Sequence, residues 1–256
     1  MRKDLCAEGL IKIIHKKFEK ITDLKKFSKK NTISLTDCLM SCFAVFSLKW
    51  PSLLRYEEEK NNPVGLKNLK DLYQIQSPPS DTYMRERLDD IDPTHLRAAF
   101  KAVFAIAQRG KVLEQYEFLD GYYLFSTDGT GHFSSNKVHC PNCCVKNHSD
   151  GTHTYYHNMM GGAIVHPKKK EVIPFCPEPI RNQDGNVKND CEQKASKRQL
   201  EALRKEHPHL NLIVTQDALA DNGPNVQLLE SLKMKYIIVS RRQIFNNGSY
   251  SFNKFE

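Results

Sequence analysis

The chain has 256 residues, 39% of them hydrophobic and 27% charged, which is enough apolar material for one large or two ordinary packed domains and too much for a disordered polymer. Its formal charge is +8 with a pI near 9.0, and residues 1–70 hold 15 Lys/Arg against 8 Asp/Glu, so +7 of that excess lies there. The bias points to a polyanionic partner, nucleic acid first, and the longest apolar run, "CLMSCFAVFSL" at 38–48, is about half of what a membrane span needs.

In chain order, "LIKIIHKKFEKI" spaces Leu10, Ile14, Phe18 and Ile21 at three- and four-residue steps, with Lys12, Lys16 and Lys17 elsewhere around the cylinder: an amphipathic helix with a basic side. The run at 38–48 suits a buried helix. "SPPSDTYMRERLDDIDPTHLRAAFKAVFAIAQRG" carries helix starts at Ser80/Asp81 and at Asp92 before Pro93, with Gly110 closing the second helix. The pair reads either as a helix-turn-helix or as an ordinary helix pair, with Arg85, Arg87, Arg97 and Lys101 as a groove-binding set or a solvated face.

After about residue 116 the pattern changes to strands. "GYYLFST" (121–127), "THTYYHNMMGGAIVH" (152–166) and "EVIPFC" (171–176) predict a three-stranded meander, the last two separated by a turn at "PKKK". "NDCEQKASKRQLEALRKEHPHL" predicts a helix with Asp190 and Gln193 as a capping box and Pro208 as its stop. A buried strand ending in Asp217 follows, then a short helix after Pro224 with Leu228, Leu229 and Leu232, then the strand 235–240. The expectation is an α/β protein: a helical, basic DNA-binding domain over 1–115, then a mixed sheet over 116–256 in the order β-β-β-α-β-α-β.

Asp128 and Gly129 follow the first apolar strand, where Asp-Gly most often makes a hairpin turn. The 190–207 helix is a crossover, however, and it allows the strand before Asp217 to lie parallel to 121–127. Both acids then emerge at the strand ends, where ligands of open α/β sheets sit; two carboxylates on a basic protein suggest divalent metal and phosphate chemistry.

The stretches "STDGTGHF", "TYYHNMMGGAIVHP", "EVIPFCPEPI", "KNDCEQKA" and "VTQDALADNGP" resemble the DDE transposases of bacterial insertion sequences, the cut-and-paste group with a ribonuclease H-like catalytic core. The similarity covers about residues 120–240, and the 89-residue step from Asp128 to Asp217 is of the kind that group uses. The resemblance implies that Asp128 and Asp217 are the first two acids of a catalytic triad binding two Mg²⁺ (or Mn²⁺) ions for DNA cleavage and strand transfer. It also implies a third acid on a later helix, within a Tyr, Arg, Glu, Lys pattern. No such pattern follows Asp217; the later acids are Asp221, Glu230 and Glu256, so the catalytic core reads as incomplete.

Eight cysteines, with no continuous apolar leader in "MRKDLCAEGLIKIIHKK", are expected as reduced thiols of a cytoplasmic protein. "HCPNCCVKNHSDGTHTYYH" holds a Cys-x-x-Cys at Cys140 and Cys143 beside Cys144, His139, His148, His153 and His157. A zinc site there would take Cys140, Cys143 and His148; the alternative is an exposed hairpin whose thiols and imidazoles bind nothing. Cys176 and Cys191 are expected as buried thiols, and the runs "KKFEKITDLKKFSKK" and "HPKKKE" as solvated faces, some touching phosphate. Three functions follow as expectations: a transposase acting on double-stranded DNA, with a homodimer left open; a DNA-binding remnant or regulator of transposition that cannot cut; and a zinc-dependent nucleic-acid-binding protein.

Overall fold

The computed structural model describes residues 2–23, 33–181 and 191–240. Among these described residues six α-helices come first: α1 (Ala7–Phe18), α2 (Leu35–Ser47), α3 (Leu53–Asn61), α4 (Pro63–Asp71), α5 (Asp81–Leu88) and α6 (Arg97–Arg109). Side-chain oxygens start most of them, with Ser34, Ser52, Asn62 and Ser80 accepting from backbone N–H groups at the caps of α2 to α5. The apolar run at 38–48 is indeed a buried helix, with Cys38, Met40 and Ala44 fully enclosed. Its Asp37 is buried too, and accepts from the N–H groups of Gln76 (3.0 Å) and Ser77 (3.1 Å), tying the segment after α4 to α2.

The expected pair of helices forms, but not as a free recognition unit. Asp92 caps a 3-10 turn, Pro93–Leu96, that runs into α6, and α6 gives Ala99 to a helical core and Phe104 to the core beneath the sheet. Three of the four cations considered for a groove are engaged: Arg85 pairs with Asp81 at 2.6 Å, Arg87 is buried against Asp23, and Arg97 pairs with Glu178 at 2.5 Å. Buried Glu178 also accepts from Arg198 at 2.8 Å, so one carboxylate ties α6 to the sheet and to the helix behind it.

The sheet comprises β1 (Glu117–Leu119), β2 (Tyr122–Ser135), β3 (Cys144–Asn147), β4 (His153–Val165), β5 (Ile173–Pro174), β6 (Glu178–Ile180), β7 (Leu212–Gln216) and β8 (Lys235–Ile238), with α7 (Glu192–Glu206) crossing from β6 to β7 and α8 (Gly223–Ser231) from β7 to β8. The order is β3-β4-β2-β7-β8, with β1 on β2 and β5 and β6 on β4. Pairs β2·β4 and β3·β4 are antiparallel, whereas β2·β7 and β7·β8 are parallel. The mixed α/β architecture is therefore as expected, with three differences. Strands β1, β3 and β6 are additional, the third predicted strand (171–176) is reduced to the two residues of β5, and β2 continues through Ser135 instead of ending before Asp128. Helix α7 starts with Cys191 at its cap and no side-chain cap bond; Asp190 lies outside the described residues, as does Glu256.

Candidate functional site

Asp128 does not sit in a turn. It is inside β2 opposite Gly161 of β4, and neither it nor Gly129 has a positive φ. The Asp-Gly hairpin of this region is Asp120–Gly121, both at positive φ (46° and 78°), which joins β1 to β2.

The parallel ladder of β2 and β7 ends at Ser126 opposite Thr215. Continued by two residues, that register brings Asp128 level with Asp217, which stands just past β7 in extended backbone (φ −77°, ψ −179°). The residue before each acid is buried toward α7. The Thr127 hydroxyl lies 2.6 Å from Gln199 Oε1, and Gln216 Nε2 donates to Ser196 Oγ at 3.0 Å. Asp128 and Asp217 are themselves exposed, at the edge of the cleft that α7 borders. Each spends one oxygen locally: Asp128 Oδ1 accepts from Gly129 N (2.8 Å) and Asp217 Oδ1 from Leu219 N (3.0 Å). Neither has a cationic partner among the described residues.

A third carboxylate approaches that the sequence reading passes over. Glu192, in the first turn of α7, overlies Gly129 so closely that a Cβ on the glycine would lie 2.4 Å from Glu192 Oε1. The glycine is needed for this approach and not for backbone freedom. Asp128, Asp217 and Glu192 line one cleft of about 320 Å³, together with Lys194 and Lys197. An acid in the first turn of a helix reads as a partner of the helix dipole, so only the packing of α7 across β2 distinguishes it. The available signal was its place within "KNDCEQKA", at the start of the crossover helix. Of the later acids, Asp221 accepts from Ser240 at 2.8 Å and Glu230 lies on α8, away from the cleft lining.

The sulfur and imidazole cluster forms with a changed membership. Cys140 and Cys143 are joined by His157, not by His148: His157 Nε2 lies 3.2 Å from Cys140 Sγ and 3.3 Å from Cys143 Sγ, and the two sulfurs are 3.7 Å apart. Among the described residues this is the group of three His, Cys, Asp or Glu side chains whose ligand atoms come close enough to hold a metal ion. His148 falls past the end of β3, at the turn of the β3–β4 hairpin, where its Nε2 meets Thr154 Oγ1 at 2.8 Å. Extended chain rises roughly 3.3 Å per residue, so the nearer histidine in sequence is carried away while β4 brings His157 back. His153 meets Asn147 and His139 stacks on Tyr155, which occupies the other imidazoles.

Burial raises the Cys143 thiol above its ordinary range, and burial with the neighbouring His132 lowers His157, which favours its neutral form. Cys176 is buried as expected and its thiol is pushed up to about 11 by that burial; Cys191, expected buried, is exposed at the cap of α7. No helix among the described residues is long and apolar enough to cross a membrane. No family model and no curated protein matches the chain.

Proposed function

We propose that this chain carries a metal-dependent phosphoryl-transfer centre acting on DNA, of the kind found in cut-and-paste DDE transposases, with Asp128, Asp217 and Glu192 as its acids. The observation that carries the reading is the β2–β7 register, which when continued sets Asp128 level with Asp217, with both acids and Glu192, over Gly129, lining the same cleft. The strand order β3-β4-β2-β7-β8, in which the central strand has one antiparallel and one parallel neighbour, supports a ribonuclease H-like core.

The donor set suits a hard divalent cation such as Mg²⁺ or Mn²⁺: carboxylate oxygens at an open cleft, without ion-pair partners among the described residues. Asp128 and Asp217 each hold one oxygen on a local N–H, which orients the carboxylate and leaves the second oxygen for the ion. When bound, such ions activate an attacking oxygen and neutralise charge on the transferred phosphoryl group. The buried bonds of Thr127 and Gln216 to α7 fix the backbone beneath both acids.

DNA contact is supported by Lys17, Lys101 and Arg109, which line a shallow groove between α1 and α6 and form no ion pair among the described residues. Phosphate contacts of this type make affinity fall with salt, by about one unit of slope per cation. The function is tested by Mn²⁺ titration followed by electron paramagnetic resonance, together with nicking of supercoiled plasmid, on wild type, Asp128→Asn, Asp217→Asn and Glu192→Gln. Binding and nicking by wild type that fall in all three variants support the centre. A wild-type protein that binds no Mn²⁺ sinks it, and Glu192→Gln behaving as wild type removes only the third acid.

A further inference from the structure

The Cys140, Cys143 and His157 cluster has no part in the carboxylate cleft, yet it is the most closely assembled group of chemically reactive side chains among the described residues. Tetrahedral zinc, with Zn–S of about 2.3 Å and Zn–N of about 2.0–2.1 Å, sets its ligand atoms about 3.8 Å apart for two sulfurs and about 3.5 Å apart for sulfur and nitrogen. Here the sulfurs are 3.7 Å apart and the nitrogen lies 3.2 and 3.3 Å from them, one face of such a tetrahedron within about 0.3 Å. The same nitrogen stands near both sulfurs, as a shared ion requires of its ligands.

Local structure reinforces the geometry. Residues 140–143 form a tight turn, with Cys143 N donating to Cys140 O at 3.1 Å, and Cys140 N donates to Cys143 Sγ at 3.3 Å. An N–H that donates to a sulfur holds that side chain in place within the turn. A fourth donor stands beside the cluster. The register of β2 against β4 shifts between Gly131, opposite Asn158, and Phe133, opposite His157, so His132 is the extra residue of a bulge. Bulges re-aim a side chain out of the ladder's alternation, and the His132 ring stacks on that of His157, with centroids 5.9 Å apart.

We infer that Cys140, Cys143 and His157 bind one zinc ion, with His132 turning in from the bulge as the fourth ligand, and that the ion staples the 136–143 loop to β2 and β4. All four coordination positions are then filled by protein, which makes the site structural, not catalytic. The staple lies on the same two strands as Asp128 but its ligands are separate, so zinc content is independent of the phosphoryl-transfer reading.

The test uses the full chain, purified and then equilibrated with excess ZnSO₄ and desalted, with zinc measured by elemental analysis and the site read separately by Co²⁺ substitution. The expected result is one zinc per chain, retained by Asp128→Asn and His148→Ala but reduced at least tenfold by Cys140→Ser with Cys143→Ser and by His157→Ala. Cobalt should give thiolate charge-transfer bands and the intense ligand-field absorption of a tetrahedral site. In His132→Ala that ligand-field envelope should shift while the thiolate bands remain, a readout available even if the cysteine variants fold poorly. Wild-type protein that takes up less than a tenth of an equivalent overturns the site, as does a zinc content lost in His148→Ala and kept in His157→Ala. An unchanged cobalt spectrum in His132→Ala removes His132 from the ligand set.

Discussion

The carboxylate cleft and the sulfur cluster both sit on the β2–β4 pair, and they differ in how far each is assembled by the protein alone. The two thiols and the imidazole lie at nearly the spacing of a metal's ligand shell, because neutral or weakly acidic groups can be packed together without repulsion. The carboxylates of Asp128, Asp217 and Glu192 share a cleft but do not close to ligand spacing. Carboxylates brought together as proposed would resist collapse in the absence of a cation. A soft-ligand site can therefore be finished by folding, whereas a hard-ligand site is finished by its ion and substrate.

The largest test of that contrast is charge removal in the cleft. Asp128→Asn or Asp217→Asn is expected to lower Mn²⁺-dependent nicking by about a thousandfold, since each takes away a ligand to the reacting centre, while leaving the melting temperature near wild type. A melting temperature lowered as far as by zinc removal would mean that the cleft is as much a structural site as the cluster. Next comes the zinc itself. Saturation a thousandfold above Kd should stabilise the fold by about 4 kcal/mol, read as a rise in melting temperature that a strong chelator reverses. Equal melting temperatures with and without zinc would place the cluster outside the folding equilibrium.

Acid acts on the cluster through its ligands, and also on a separate group that must be distinguished from it. His207 packs edge-on against Phe104 and Phe175 (centroids 4.5 and 5.3 Å), with Nε2 buried and without a hydrogen bond among the described residues, and burial, aided by Lys101, brings its pKa down to about 4. The unfolded chain binds this proton at higher pH than the folded one, so the contribution is intact above about pH 6.5 and declines as pH falls toward 4. The loss should be on the order of 2 kcal/mol in urea unfolding curves. His207→Phe should flatten that part of the pH profile, and the acid loss that is then seen with zinc but not without it reports release of zinc.

The smallest expected effect is Gly129→Ala. Its Cβ meets the end of a flexible Glu192 side chain, so the side chain swings away and the fold survives, with stability within about 0.5 kcal/mol of wild type. Nicking should fall about tenfold, equivalent to about 1.4 kcal/mol of transition-state stabilisation. An unchanged rate would show that the approach of Glu192 to Gly129 has no role in the cleft.

Helix periodicity marked α1, start and stop signals marked α6, the apolar run marked α2, and the crossover α7 made the parallel pairing of β2 and β7 an expectation. Asp217 was legible for the same reason: the strand before it is apolar, short and ended by turn residues. Asp128 was singled out for its chemistry but placed after the strand, in a turn position, instead of within it. Asp120–Gly121 and Asp128–Gly129 are the same dipeptide, and only cross-strand pairing decides which one turns. The first closes β1 onto β2, whereas the second is held extended by the ladder to Gly161 and Met160. Cys140 and Cys143 declared themselves by a spacing within one turn of chain. Their histidine did not, because His148 is nearer in sequence and His157 nearer in space, and hairpin register sets that distance. Glu192 was hidden similarly, as a first-turn acid until α7 packed over a strand whose glycine leaves room for it. Sequence determined what local energetics control: periodicity, caps and short-range ligand pairs. Which side chains converge from distant segments is a property of strand register and helix packing, and the tertiary structure alone decided it.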